Sequence, residues 1–130
     1  MNKNEYAHTV TKKVTDMFLS VLKGYIIAVI LIFILALIVT YTPFSNVDIP
    51  IKIISYLAII TASFFNAKKY RTLGWLNGAV SGVLYNLILY IISMIFFKDA
   101  TVQNGILYSI LTGIIFGIIG GIIGVNTRRK

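Results

Sequence analysis

The chain contains no cysteine among its 130 residues, and only one histidine, two prolines and four acidic residues. The missing cysteines exclude disulfide bonds, thiolate metal sites, a cysteine nucleophile and lipidation at cysteine. Charged residues make up 12% of the chain and hydrophobic residues 58%, whereas a soluble domain averages about 25% charged and 45–50% apolar residues. A soluble fold of this size would lack the polar residues needed to cover its surface, so the apolar residues must face lipid.

Four long apolar runs are present instead, each near the roughly 20 residues that a helix needs to cross the hydrocarbon core of a bilayer. They cover residues 24–41, 49–67, 73–97 and 105–125. The links between them are short, and short links make successive helices antiparallel neighbours. The sequence therefore predicts one all-α membrane domain over residues 1–130, an up-down bundle of four transmembrane helices.

The segment before the first span, residues 1–23, carries an amphipathic pattern. Apolar residues recur there at the spacing of one helical face: Val10, Val14, Met17, Phe18, Val21 and Leu22. We predict an N-terminal amphipathic helix on the cytoplasmic membrane surface, with Gly24 turning the chain into the bilayer. It would act either as a docking helix for a partner or, as we favour, as an interfacial anchor that continues into the first span.

Basic residues are distributed unevenly. Ten of the twelve Lys and Arg lie in the N-terminal segment, the link at 68–72 and the tail at 126–130, all on one side of a four-span topology. The other side carries Lys52 and Lys98, which Asp48 and Asp99 balance. The whole net charge of +8 therefore lies on one face, and the positive-inside rule makes that face, with both termini, cytoplasmic.

The basic face also bears on partners. Clusters of this kind beside a membrane attract anionic lipid head groups. We expect no nucleic-acid partner, because no soluble module remains to carry such a site. The strong charge bias favours one orientation, so any homo-oligomer or larger membrane complex should assemble with its copies parallel.

Glycine recurs every fourth residue in the last two spans. Small residues at this spacing let two membrane helices approach closely. We predict that helix packing depends on eight glycines: Gly74, Gly78, Gly82, Gly113, Gly117, Gly120, Gly121 and Gly124. They lie in the cytoplasmic halves of spans three and four, which should therefore approach each other most closely there. The same pattern also suits a subunit interface or a glycine-lined solute path.

No ionisable residue lies in the central stretch of any span, although such residues mark proton relays and many sites inside membranes. We therefore expect no enzyme, no cofactor and no metal site. The uncharged polar residues that remain either hydrogen-bond to neighbouring helices or form a polar path at Asn77, Ser81 and Asn86.

Two motifs carry a family resemblance. The run NAKKYRTLGWLNGAVSGVLY begins at Asn66, and GGIIGVN ends at Asn126. Both resemble the YrzE-type small four-span membrane proteins of spore-forming Gram-positive bacteria. The resemblance implies a bacterial plasma-membrane protein and no assigned activity. This chain departs from the family pattern in the second span, where Ala62, Ser63 and Ala67 stand in place of the usual glycines.

Two functional hypotheses follow. The chain is a helix-packing accessory or self-assembling component of the membrane without catalytic chemistry, or it is a small oligomeric channel or transporter with an uncharged polar path. The glycine pattern and the minimal loops favour the first hypothesis. The Asn and Ser residues of span three are the basis of the second.

Overall fold

The computed structural model describes residues 2–43, 45–69, 73–97 and 105–128. Within these ranges it contains four α-helices: α1 (Lys3–Tyr41), α2 (Asp48–Lys69), α3 (Gly74–Phe97) and α4 (Ile106–Arg128). All four are long and apolar enough to span a membrane, which confirms the predicted all-α fold with four spans. Three parts of the chain between or after the helices lie outside the described residues. They are residues 70–72 of the link at 68–72, the link at 98–104 between the third and fourth spans, and residues 129–130 of the tail.

α1 is one unbroken helix of 39 residues, so the predicted change of direction at Gly24 is wrong. Gly24 is buried against α2 instead, where an added Cβ would lie 2.8 Å from the Cβ of Ala62 and 2.9 Å from the carbonyl oxygen of Ala58. Asp16 lies beside Lys69 at the end of α2. Residues 3–15 of α1 therefore project beyond α2 by about 20 Å, at 1.5 Å per residue.

The remaining helices, α2, α3 and α4, pack together as a three-helix unit in which the α3–α4 interface is the most extensive. α1 packs on α2, and it reaches α3 where the ring of Tyr25 stacks on the ring of Tyr85 at 4.3 Å. Within the described ranges α1 and α4 form no helix–helix interface. The up-down bundle is thus a three-helix unit with α1 added at one side.

A glycine seam joins α3 to α4. Its members face one another across the interface: Gly74, Gly78 and Gly82 of α3, and Gly113, Gly117 and Gly121 of α4. A Cβ on Gly78 would lie 2.8 Å from the Cα of Gly121, and a Cβ on Gly82 would lie 2.8 Å from the carbonyl carbon of Gly113. None of the chain's ten glycines has a positive φ. The seam glycines therefore serve the close approach of two backbones and not a special backbone conformation.

A second seam joins α4 to α2. A Cβ on Gly124 would lie 2.6 Å from the carbonyl oxygen of Phe64, and a Cβ on Gly120 would lie 3.0 Å from the carbonyl carbon of Ile60. The eight glycines singled out in the sequence thus divide between two interfaces inside the chain. Because α4 is antiparallel to α3 and parallel to α2 along these seams, the helix directions alternate through the bundle.

The packing is tightest at one end of the bundle. We call this end, formed by the N-termini of α1 and α3 and the C-termini of α2 and α4, the basic end. All the buried residues of α3 lie between Gly74 and Tyr85, in the half of the helix nearest the basic end. Towards the other end Phe96 and Phe97 of α3 are exposed, and a Cβ on Gly105 would meet no atom within 4 Å.

Substituting Gly78 with Leu should destabilise the bundle, because its side chain would collide with the backbone of α4. Overpacking of this kind costs about 1–3 kcal/mol or more. The matched control is Gly105→Leu, which enters open space and should change the free energy of unfolding by no more than about 0.5 kcal/mol. Unfolding of the purified protein by SDS in mixed micelles measures both values. Equal stability of the two variants would contradict the seam.

Candidate functional site

The buried polar residues of the described helices lie mainly between α2 and α3, in a group that we call the polar cluster: Ser63, Asn66, Asn77 and Ser81. Ser63, Asn66 and Ser81 are 0% exposed and Asn77 is 6% exposed. They lie one turn or less from the glycine seam, where α3 is held closest to its neighbours. The cluster is therefore part of the tightly packed half of the bundle.

Hydrogen bonds connect the cluster across the two helices. The Asn66 side-chain amide donates to the Ser81 hydroxyl oxygen at 2.6 Å and to the Asn77 carbonyl oxygen at 3.4 Å. The Ser81 hydroxyl donates to the same Asn77 carbonyl at 2.8 Å. The Ser63 hydroxyl donates to the Gly78 carbonyl at 3.1 Å. The bonds from Asn66 and Ser63 join α2 to α3, and none of them involves a charged group.

One acceptor in the cluster is left over. The Oδ1 atom of Asn66 is the only buried side-chain nitrogen or oxygen without a hydrogen-bond partner in the described part of the chain. A buried polar atom without a partner costs about 1–3 kcal/mol. The Asn66 side chain therefore has two opposing effects on stability. Its amide nitrogen donates two hydrogen bonds, whereas its buried amide oxygen has no partner.

Asn86, the third residue of the predicted polar path, lies elsewhere. Its side-chain amide donates to the carbonyl oxygen of Ser109 on α4, and it packs over Gly113. It borders a cleft of about 190 Å³ between α3 and α4, which we call the lateral cleft, lined by Asn86, Leu87, Leu89, Tyr90, Gly105, Ile106, Ser109 and Ile110. Most of these side chains are apolar, so the lateral cleft suits lipid better than water.

The structure thus brings two of the three predicted path residues together and separates the third. Asn77 and Ser81 are on the face of α3 that meets α2, whereas Asn86 is on the face that meets α4. Asn86 also follows Ser81 by five residues, about 7.5 Å along the helix axis. Within one chain the three residues therefore do not line a common path.

Two members of the polar cluster, Ser63 and Asn66, were not predicted as site residues. The feature of the sequence that could have identified them is the run of small residues on α2. Within this run Ala62, Ser63 and Ala67 are 0% exposed. Small residues at interfaces let polar side chains reach across to the next helix. In the second span Ala and Ser take the place of glycines, and they are small enough for α3 to approach α2 closely.

The chemistry available to the polar cluster is hydrogen bonding between neutral groups. Its donors and acceptors are amides, hydroxyls and carbonyls, which hold helices in register but do not transfer protons easily near neutral pH. In the part of the chain that the structure describes, no three His, Cys, Asp or Glu side chains lie close enough together to hold a metal ion.

A double-mutant cycle tests the bond between Asn66 and Ser81. We expect Asn66→Ala and Ser81→Ala to show a coupling energy of about 0.6–1.7 kcal/mol, the range measured for hydrogen bonds between membrane helices. The control cycle pairs Asn66→Ala with Asn86→Ala, which bonds to a different helix and should be additive within about 0.5 kcal/mol. Equal coupling energies in the two cycles would show that the hydrogen bond between Asn66 and Ser81 makes no specific contribution to stability.

Comparison with known proteins identifies a family. A family model matches residues 13–124, which includes the greater part of α1 and nearly all of α4. None of the curated proteins and none of the solved structures compared with the chain matches it significantly. The matched region contains both glycine seams and the whole polar cluster. The chain belongs to the family described as Protein of unknown function (DUF3792).

Proposed function

We propose that this multi-pass membrane protein is a non-catalytic packing component that works through contacts with lipid and with other membrane-embedded chains. The observation that carries the proposal is the hydrogen bonding of the polar side chains in the spans. In the described spans the polar cluster and Asn86 are hydrogen-bonded into helix–helix interfaces. Such hydrogen bonds hold helices together, which supports a packing role.

The alternative, a small channel or transporter with an uncharged path, has weaker support. Asn77 and Ser81 are enclosed between α2 and α3, and Asn86 bonds to α4 on another face. A path through them would require α2 and α3 to separate, which would break the bonds from Asn66. We therefore favour the packing role.

The glycine seams also bear on assembly. Both seams are filled by helices of the same chain, so self-association would use other surfaces. α1 contributes few buried residues, which are Ser20, Val21, Gly24 and Ala28. We propose that copies of the chain, or larger membrane proteins, assemble around a rigid α2–α3–α4 unit, and that all copies share one orientation.

The same proposal places the protein in the bacterial plasma membrane with the basic end in the cytoplasm. Helix directions bring the N-terminal lysines and the lysines that end α2 to one end of the bundle, and lysine-rich ends of membrane proteins remain inside. The motifs around Trp75 and Asn126 support a closer kinship, within the family, with YrzE-type proteins of spore-forming bacteria.

Mass measurement of the detergent-extracted protein tests the packing role. The chain weighs 14.5 kDa, and we expect complexes of discrete larger mass from native membranes, either multiples of the chain or the chain with a second protein. A solitary chain under mild extraction would contradict the proposal. Solute flux through proteoliposomes, reduced by Asn77→Leu but not by the control Gly105→Leu, would favour the channel instead.

Orientation can be tested cleanly because the chain contains no cysteine. Thr9→Cys places a thiol on the projecting part of α1, and Asn46→Cys places one between α1 and α2 at the other end; both positions are exposed. A membrane-impermeant maleimide should label Asn46→Cys in intact cells and Thr9→Cys only after lysis. The reverse pattern would overturn the proposed orientation.

A further inference from the structure

A large cleft lies at the basic end, between the projecting part of α1 and the last turn of α2. Its volume is about 820 Å³, which is within the range of sites that bind small molecules. We call it the basic cleft, lined by His8, Thr9, Lys12, Lys13, Asp16, Lys68 and Lys69. Four lysines against one aspartate give its lining a net charge of +3.

One ion pair connects the two walls of the basic cleft. The ammonium of Lys69 on α2 lies 3.3 Å from a carboxylate oxygen of Asp16 on α1. This ion pair is partly exposed and contributes little to stability, but it joins the two walls and offsets the negative charge of Asp16. Lys68 and Lys69 also counter the negative end of the α2 dipole. The cleft therefore keeps a surplus of positive charge.

An apolar surface continues from the cleft towards the spans. On the face of α1 that lines the cleft, Leu19, Ile26 and Ile30 follow at helical spacing, and about half of each side chain is exposed. On α2 the ammonium of Lys68 lies 5.7 Å from the centre of the Phe64 ring, and Lys23 of α1 lies 5.1 Å from the Phe65 ring. Lysines beside aromatic rings at the end of an apolar span are typical of the boundary between hydrocarbon and head groups.

The level of the cleft agrees with that boundary. The apolar run of α2 ends at Ala67, and the next two residues are the lysines of the cleft wall. Lys12 and Lys13 lie one turn or less beyond Asp16, which is about 6 Å along α1. The head-group region extends about 5–7 Å on each side of the hydrocarbon core. In a bilayer, Lys68 and Lys69 would thus lie at the level of the lipid phosphates, with Lys12 and Lys13 on the aqueous side of them.

We propose that the basic cleft binds the phosphate of an anionic phospholipid, while the acyl chains lie along the exposed apolar row of α1. The inference rests on the proposed placement of the basic end at a membrane surface. A free phosphate would use the lysines alone, whereas a phospholipid uses the lysines and the adjoining row Leu19, Ile26 and Ile30. The combination of charge and apolar surface on one helix therefore favours the lipid.

Native mass spectrometry of the full-length protein in detergent tests the proposal. Phosphatidylglycerol should remain bound with a stoichiometry of one per chain, and phosphatidylcholine should bind at least tenfold more weakly. Each lysine near a membrane surface contributes about fivefold to binding of anionic lipid, so Lys12→Gln with Lys68→Gln should weaken binding about 25-fold. The matched control, Lys3→Gln with Lys52→Gln, removes the same charge outside the cleft and should weaken binding less than twofold.

Three outcomes would overturn the proposal. Equal loss in the two double variants, both checked to unfold at the wild-type temperature, would show that general surface charge attracts the lipid. Competition by inorganic phosphate or glycerophosphoglycerol at the concentrations effective for the lipid would show a site for soluble anions. Equal retention of phosphatidylcholine would show that no head group is selected. Labelling of Asn46→Cys, at the opposite end from the basic cleft, reports orientation separately, so the proposed orientation and the lipid binding can fail independently.

Discussion

Backbone contact between α4 and its two neighbours is the constraint on which the rest of the bundle depends. In a bilayer, moving an apolar side chain from lipid to the surface of another helix gains little free energy. Helices therefore associate through close packing and interhelical hydrogen bonds. Glycine on two faces of α4 allows both contacts at once: one face meets α3 and the other meets α2. The three helices are thereby fixed at a separation that larger side chains would forbid.

Gly78 shows how closely the packing and the polar cluster depend on each other. Its Cα faces the backbone of Gly117 and Gly121 on α4, while its carbonyl oxygen accepts a hydrogen bond from Ser63 on α2. Three helices therefore meet at one residue. The bonds from Asn66 to Ser81 and Asn77 lie beside this point, so the cluster depends on the close approach of α3 to α2.

α1 follows a different principle. It packs along one stripe on α2, through Gly24 and neighbouring small residues, and exposes the rest of its surface. Its N-terminal part continues past the end of α2 and carries three lysines of the basic end. The structure thus separates a closely packed three-helix unit from a long helix whose surface is mostly exposed.

The sequence by itself determined the four spans, their alternating directions and the eight packing glycines, because length, hydropathy and four-residue spacing report directly on helices in lipid. Only the tertiary structure decided which partner each glycine meets, that Gly24 packs against α2 within an unbroken α1, and that Asn86 is separate from Asn77 and Ser81. The reason is geometric: spacing defines the face of a helix, but the rotation and depth of each helix against its neighbours decide what that face touches.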